Sequence, residues 1–251
     1  MGKGYSRLVL VLQTLIGLIL SAMIVHLLVL LYEQNRLWEL DRTIQLGAYL
    51  LIIIVSFAIQ IILRVKHRSH TPEAELLPLL LFFMTMECTM VLPVYFQETG
   101  ILVFSTNTTN MIIRFSLIGT SLVFVYTALL HMGSHISAGN ITTSLIAILF
   151  LSLLAPSSSS LQAAEYGFGS TYDVYFNFAT ILLYIAAAVT FIIGAINDKV
   201  PHILVRSITY ILMILGNWGI VADNSYLMTV ICAILYVVSS ILMIVTSKDA
   251  F

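Results

Sequence analysis

Apolar residues fill most of the chain in long runs that are separated by short polar segments. Eight runs stand out, near residues 8–31, 44–63, 76–96, 111–132, 138–156, 174–196, 203–221 and 226–246. A helix needs about 20 mostly apolar residues to cross a bilayer, and these runs have roughly that length. Because lipid cannot satisfy backbone polar groups, each run is expected to be helical. The pattern predicts an all-α, polytopic integral membrane bundle with eight transmembrane helices, forming a single domain over residues 1–251.

The fifth run is the weakest of these segments. It opens with the polar stretch AGNITTS and is stopped by Pro156. The last two runs are separated only by residues 222–225, which predicts a tight helical hairpin. The first run follows a basic start and is longer than the apolar region of about 7–15 residues in a signal peptide. We therefore expect it to remain in the protein as the first span.

Basic residues are distributed unevenly between the two sides that eight spans create. The side of both termini carries Lys3, Arg7, Arg64, Lys66, Arg68, Lys199, Arg206 and Lys248. The opposite side carries only Arg36, Arg42 and Arg114. Since cytoplasmic loops hold the excess of Lys and Arg, both termini are expected to be cytoplasmic. Omitting the fifth span would move the last three residues of the larger set outside and remove the bias.

Composition indicates the same class of protein. The chain is 60% apolar and 9% charged, with a mean hydropathy of +1.03. Soluble domains average about 45–50% apolar and about 25% charged residues. The partner of this surface is therefore expected to be the lipid bilayer of an inner or plasma membrane. A net charge of −1 leaves no footprint for nucleic acid. Cys88 and Cys232 both lie within apolar runs and are expected to be small buried side chains.

One carboxyl group interrupts the third run, LLPLLLFFMTMECTMVLPVYF. Glu87 lies about eleven residues into this span, near the midplane at roughly 1.5 Å per residue. Ionisable residues inside spans are costly, and they tend to face the bundle interior or a cavity. The acid is therefore expected either to have a functional role or to make a structural hydrogen bond. Pro93, six residues later, can kink the helix and free a backbone carbonyl nearby.

Four more polar side chains lie toward the outer ends of other spans. They are His26 in the first, Arg114 in the fourth, Asn177 in the sixth and Asn217 in the seventh. Together with Glu87 they predict a ligand-binding pocket that opens to the outside and has the acid at its floor. Alternative roles remain open. Arg114 can snorkel to the headgroups, the asparagines can join helices through hydrogen bonds, and His26 can be a packing residue.

Most of the histidines map to the cytoplasmic side: His67, His70, His131, His135 and His202. His131 and His135 are four apart, so they share a helix face if the fourth span extends that far. Imidazole binds Zn, Cu and Fe, which makes this pair a candidate metal site. No HExxH motif accompanies it, and Gly133 between the two favours a frayed helix end. The expectation is therefore that the protein holds no metal and no cofactor.

Three functions are compatible with these features. The first is a sensory or regulatory module that responds to a small molecule or envelope signal and acts through a separate cytoplasmic or membrane partner. Its support is the outward pocket, the long outer loops and the lack of an output domain after the last span. The second is a small-molecule or ion transporter, or a transporter subunit, in which Glu87 binds a proton or cation. Polar residues that could line an inner half of its path are few, mainly Gln60, Tyr126 and Ser239.

The third possibility is a membrane metal enzyme that uses the cytoplasmic histidines. Phosphate-binding, dinucleotide-binding and nucleophile-elbow motifs are all missing from the sequence, so no catalytic residue is predicted. An enzyme is therefore less favoured than the other two classes. The ligand, the partner and the oligomeric state are left open by the sequence.

Overall fold

A computed structural model describes residues 3–65, 76–134, 138–154, 174–197, 201–222 and 225–246 of the chain. These residues form helices and short turns, and no strand occurs among them. The helices are α1 (Lys3–Glu33), α2 (Leu40–Val65), α3 (Leu77–Glu87), α4 (Val91–Thr99), α5 (Thr106–His131), α6 (Ala138–Leu154), α7 (Val174–Asn197), α8 (Pro201–Val221) and α9 (Tyr226–Thr246). The predicted all-α architecture is confirmed for this part of the chain.

Seven helical stretches within the described ranges are long and apolar enough to cross a membrane. They are Arg7–Glu33, Leu40–Leu63, Leu77–Thr99, Thr108–His131, Phe176–Asn197, Ile203–Val221 and Tyr226–Thr246. These stretches match every predicted run except the fifth, which confirms the multi-pass membrane class. The fifth run forms α6, which has 17 residues. At about 1.5 Å per residue it spans roughly 25 Å, less than the approximately 30 Å of a bilayer core.

Side-chain contacts establish the relative directions of α5, α6 and α7. The ring and cation contacts between α5 and α7 are Arg114–Phe176, Phe124–Tyr184 and His131–Phe191. Residue numbers rise together along both helices, so α5 and α7 run parallel. Near the end of α5, Tyr126 forms a 2.6 Å hydrogen bond with Ser144 near the start of α6. This contact indicates that α6 turns back antiparallel to α5.

Helices α8 and α9 form the predicted hairpin, and their backbones approach closely at Gly216. A Cβ atom at this position would lie 2.7 Å from the backbone nitrogen of Tyr236 and 2.9 Å from the carbonyl oxygen of Cys232. Small residues allow membrane helices to pack in this way. On its other side α8 packs against α7, where Phe191 stacks on Tyr210 with ring centroids 4.8 Å apart.

An ionic network joins the α1–α2 loop to the end of α4. Arg36 donates to Glu39 at 2.7 Å and to Glu98 at 2.9 Å, and Arg42 forms an ion pair with Glu98. The hydrogen bond from Arg36 is the main reason that the pKa of Glu39 lies below its ordinary value. The network fixes the loop that joins α1 and α2 against the rod formed by α3 and α4.

The first hairpin also contacts the last one. Asp41, in the first turn of α2, accepts a 2.8 Å hydrogen bond from the backbone nitrogen of Tyr226, the first residue of α9. A carboxylate at a helix N-terminus satisfies a free amide and interacts favourably with the helix dipole. Further along the same pair of helices, Ser56 forms a 2.7 Å hydrogen bond with Tyr236. Helices α2 and α9 therefore run parallel along one side of the bundle.

Candidate functional site

The helix that carries Glu87 changes geometry immediately after this residue. Helix α3 ends at Glu87, residues Cys88–Met90 form a 3-10 turn, and α4 begins at Val91. Pro93 has no amide hydrogen, so it cannot make the usual hydrogen bond to the carbonyl four residues earlier. The 3-10 turn lies just before the proline that lacks this hydrogen bond. The irregularity that the sequence predicted near Pro93 is therefore present. The carboxyl of Glu87 lies beside a 3-10 turn that breaks the α-helical pattern within one continuous spanning rod.

Side chains from three other helices surround this carboxyl. The hydroxyl of Tyr184 on α7 donates to Oε1 at 3.1 Å, and Nδ2 of Asn217 on α8 donates to Oε2 at 2.5 Å. The same nitrogen lies 3.3 Å from the Tyr184 hydroxyl. Thr120 on α5 is a further polar neighbour of the carboxyl, and its hydroxyl donates to the carbonyl of Ser116 at 2.9 Å. These four residues, Glu87, Thr120, Tyr184 and Asn217, are called the Glu87 junction below.

The junction is closed to water. Glu87, Thr120 and Asn217 are each 0% exposed, and Tyr184 is 5% exposed. The sequence predicted an open, solvated pocket with Glu87 at its floor, whereas both carboxyl oxygens are hydrogen-bonded to protein. The large side chain of Tyr184, which the sequence did not single out, occupies the position next to Oε1. The structure is therefore that of a closed polar contact between four helices.

Among the described residues, the junction provides hydrogen bonds to the carboxyl but no opposite charge. The hydrogen-bond partners of the Glu87 carboxyl are Tyr184 and Asn217. Arg114 is buried on α5 with its guanidinium carbon 5.0 Å from the ring centroid of Phe176. It precedes Thr120 by six residues, or about 9 Å along the helix. The basic side chain is thus placed toward the start of α5 and away from the acid.

One acceptor in the junction lacks a donor. Oδ1 of Asn217 is buried and has no hydrogen-bond partner among the described residues. The amide nitrogen of the same side chain serves both Glu87 and Tyr184. An unpaired buried acceptor is uncommon and costs free energy, of the order of 1–3 kcal/mol. It marks a position that can take an additional donor.

The remaining predicted site residues lie elsewhere. His26 is exposed on α1, where its Nδ1 is 2.9 Å from the hydroxyl of Tyr95 on α4. Asn177 is half-buried on α7, seven residues before Tyr184, which is two turns or roughly 10 Å along the same helix face. Of the five predicted residues, the structure therefore joins only Glu87 and Asn217 in direct contact.

Tyr184 and Thr120 were missed by the sequence analysis. A tyrosine within an apolar run is counted as one more apolar residue, although its hydroxyl can reach a buried acid. The spacing offered one signal, since Tyr184 follows the polar Asn177 by seven residues and so shares its face. The depth of a residue in the membrane, when it is counted from the end of its helix, was also misleading. Asn217 lies four residues before the end of α8, while α4 continues twelve residues beyond Glu87.

The fourth predicted span does not continue as a helix past His131, as the sequence had left possible. Helix α5 ends at His131, and Gly133 follows with a left-handed φ of 78°. Nε2 of His131 is 2.9 Å from the hydroxyl of Ser207 on α8. His135 lies outside the described residues, as do His67 and His70. Within the described part of the chain, no group of three His, Cys, Asp or Glu is placed to hold a metal ion.

The fold and the junction define a class: a helical multi-pass membrane protein with a hydrogen-bonded acid beside a break in one of its spanning rods. Comparison of the chain with protein-family models, curated proteins and solved structures finds no match. A functional interpretation must therefore come from the chemistry of the Glu87 junction.

Proposed function

We propose that this protein is a sensory or regulatory module of the inner or plasma membrane, which changes state at the Glu87 junction and acts through a separate partner protein. The observation that carries the proposal is the position of the acid. Glu87 ends α3, sits beside the 3-10 turn and is hydrogen-bonded to α7 and α8. A change at one carboxyl therefore affects the packing of several helices.

The energies involved suit a switch. A hydrogen bond to a buried partner contributes about 1–3 kcal/mol when its loss leaves a group unsatisfied. Leaving an uncompensated charge in the interior costs more, about 3–5 kcal/mol. A shift of this size changes the ratio of two conformations by a factor of roughly 10 to 10³, at about 1.4 kcal/mol for each factor of ten. The break after Glu87 provides a place where the α3–α4 rod can bend between two such conformations.

We further propose eight spans with both termini in the cytoplasm. The parallel arrangement of α5 and α7 supports this, because the chain between them must return to the side where α5 begins. Helix α6, antiparallel to α5, is suited to make that return. A slightly short helix can be accommodated by local thinning of the bilayer. The excess of basic residues on the side of the termini gives the orientation.

A transporter is the second candidate, and one observation favours it. Transporters often bind ions or substrates where a spanning helix is interrupted near the middle of the membrane. Glu87 lies at such an interruption in the Leu77–Thr99 stretch. The described residues provide no corresponding support for the metal-enzyme alternative. We therefore retain transport as the function to be distinguished from sensing.

Two exposed residues near the outer ends of α4 and α9 provide the test. Gln97→Cys and Ser225→Cys, spin-labelled in nanodiscs, report the distance between the α3–α4 rod and the α8–α9 hairpin. Native Cys88 and Cys232 are buried and should label poorly. We expect Glu87→Leu and Asn217→Ala to change the distance distribution, and Glu33→Gln, at an exposed carboxyl, to leave it unchanged.

The partner is tested by crosslinking in membranes of the native host followed by mass spectrometry. A sensory module should show a protein whose yield changes in Glu87→Leu but not in Glu33→Gln. Unchanged distances together with an unchanged crosslinking profile would overturn the proposal. Solute or ion flux in proteoliposomes that is lost in Glu87→Leu would instead establish the transporter.

A further inference from the structure

The hydrogens of the Glu87 junction can be assigned one by one. Tyr184 has a single hydroxyl hydrogen, which it donates to Oε1 of Glu87. The amide of Asn217 has two, directed at Oε2 of Glu87 and at the oxygen of Tyr184. Thr120 has one hydroxyl hydrogen, and it is donated to the carbonyl of Ser116 at 2.9 Å. Every hydrogen that these side chains carry is therefore already used.

The cluster lacks both a counter-charge and one donor. Among the described residues the Glu87 carboxyl has only neutral hydrogen-bond partners, so a carboxylate at this position is a buried charge without a cation. Oδ1 of Asn217 also lacks a donor. A buried cluster with this deficit is stabilised by one additional hydrogen, since unsatisfied acceptors and an unpaired buried charge are both costly.

We propose that the ligand of the Glu87 junction is a proton, which Glu87 holds as a carboxylic acid in the closed bundle. Loss of this proton leaves a carboxylate among Thr120, Tyr184 and Asn217 with no cation from the described residues, and the helices separate to hydrate it. The inference rests on the proposed function and deepens it, because it makes the signal a change in proton concentration. The proton leaves to water or a soluble base, so no further reactant is needed.

The geometry disfavours a larger cation. Glu87, Thr120 and Asn217 have no water-accessible surface, so no void of atomic size adjoins them. Metal ions hold their oxygen ligands at about 2.0–2.6 Å, which keeps neighbouring ligands of an octahedral ion about 2.9 Å apart or more. The amide of Asn217 lies 2.5 Å from Oε2, too close for a metal to bridge them. A proton needs no additional space.

Among the described residues, the groups around Glu87 that can gain or lose a proton are few. Tyr184 donates to it from α7, Cys88 follows it in the chain, and Tyr236 on α9 contacts Met84, three residues before it. Helices α5 and α8 contribute Thr120 and Asn217, which do not titrate. A thiol and two phenols do not carry positive charge in either form, so none of them can neutralise a carboxylate at this position.

Infrared difference spectroscopy of the purified full chain in nanodiscs tests the proposal. We expect a carbonyl band of a protonated acid at neutral pH that disappears as the pH is raised. The band should be absent in Glu87→Gln and retained in Glu33→Gln. A wild-type spectrum without a Glu87-dependent acid band at or below neutral pH would overturn the inference.

Tyr184→Phe tests the same assignment. It removes a donor that stabilises the carboxylate, so the band should persist to a higher pH than in the wild type. Loss of the band at a lower pH in Tyr184→Phe would show that the phenol does not donate to the carboxyl, and would overturn the assignment.

The same samples separate this inference from the proposed function. Spin-label distances between Gln97→Cys and Ser225→Cys are recorded across the pH range in which the band is lost. An acid band whose loss leaves the distances unchanged would support proton binding and refute the sensory switch. Distances that depend on Glu87 without any acid band would support the switch and refute the proton as its ligand.

Discussion

Nδ2 of Asn217 lies 2.5 Å from Oε2 of Glu87 and 3.3 Å from the hydroxyl of Tyr184. One amide side chain thus connects α8 to both α3 and α7. The contact is fully buried, so water cannot replace the amide if it is removed. The strength of this connection can be measured by substitution.

Asn217→Ala should lower the free energy of unfolding by about 1–3 kcal/mol, because it leaves a buried carboxyl oxygen without its donor. Reversible unfolding in mixed micelles measures this loss. Asn177→Ala, at a half-buried amide on α7, is the matched control and should stay within roughly 0.5 kcal/mol of the wild type. In a Glu87→Leu background the cost of Asn217→Ala should shrink. If Asn217→Ala lowered the free energy of unfolding equally in the wild type and in Glu87→Leu, the contact between the two side chains would be contradicted.

Gly216→Ala should destabilise the protein by about 1–3 kcal/mol, as overpacking typically does. The added methyl group would meet backbone atoms of α9 at 2.7–2.9 Å, and backbone cannot rotate away as a side chain can. Gly47→Ala in α2 is the control, since a Cβ at this position meets no atom within 4 Å. That change should be neutral or stabilise by up to about 1 kcal/mol. Thermal unfolding in detergent distinguishes the two, and equal midpoints would contradict the close approach.

Glu39 should stabilise its ionic network with Arg36 in a pH-dependent way. Its pKa lies below the ordinary value of 4.5, chiefly because of the hydrogen bond from Arg36. Folding therefore favours the ionised form. The contribution is fully present above pH 4.5 and disappears as the pH falls through the lowered pKa.

The unfolding midpoint of Glu39→Gln should accordingly lie below that of the wild type at neutral pH and approach it in acid. The difference should be small, a few tenths of a kcal/mol, because the pair is partly exposed. Arg36→Gln should remove this pH-dependent difference between Glu39→Gln and the wild type. A difference that stays constant down to strongly acidic pH would show that Glu39 is not coupled to Arg36.

Single cysteines should report the number of spans. Ser105 and Ser225 are described residues near the starts of α5 and α9, and Ser134 follows the end of α5. With eight spans, an impermeant thiol reagent applied from outside should label Ser105→Cys and Ser225→Cys but not Ser134→Cys. Labelling of Ser105→Cys without Ser225→Cys would mean that α6 does not cross. Labelling of Ser134→Cys without Ser105→Cys and Ser225→Cys would overturn the proposed orientation of the termini.

The helix bounds could be predicted well because the thickness of a bilayer determines the length of an apolar run. The predicted runs 203–221 and 226–246 correspond to Pro201–Val221 and Tyr226–Thr246. The burial of Glu87 followed from its apolar flanks by the same reasoning. The end of α5 was harder to predict, since His131 and His135 share a face only if the helix passes Gly133. The left-handed backbone at Gly133 marks its end.

Of the residues around Glu87, only Asn217 could be predicted from the sequence. Asn217 is polar and stands out in an apolar helix, whereas Tyr184 and Thr120 resemble ordinary packing residues. Their contact with the acid depends on how far each helix extends and how it is rotated. Those properties arise from the packing of α5, α7 and α8 against one another, and no single segment encodes them.

The distance along the chain between the junction residues has a consequence for biosynthesis. Tyr184 lies 97 residues after Glu87, and Asn217 lies 130 residues after it. At about 5–20 residues per second, ribosomes deliver these partners on the order of 10 s after the acid has been synthesised. During this interval the third span must enter the bilayer with its carboxyl unassisted. An acidic residue at the centre of a nascent span opposes insertion by about 2.5–3.5 kcal/mol, and each Leu or Phe favours it by up to about 0.6 kcal/mol. The dense run LLPLLLFFM before Glu87 is therefore what allows the translocon to release this helix into lipid before its partners exist.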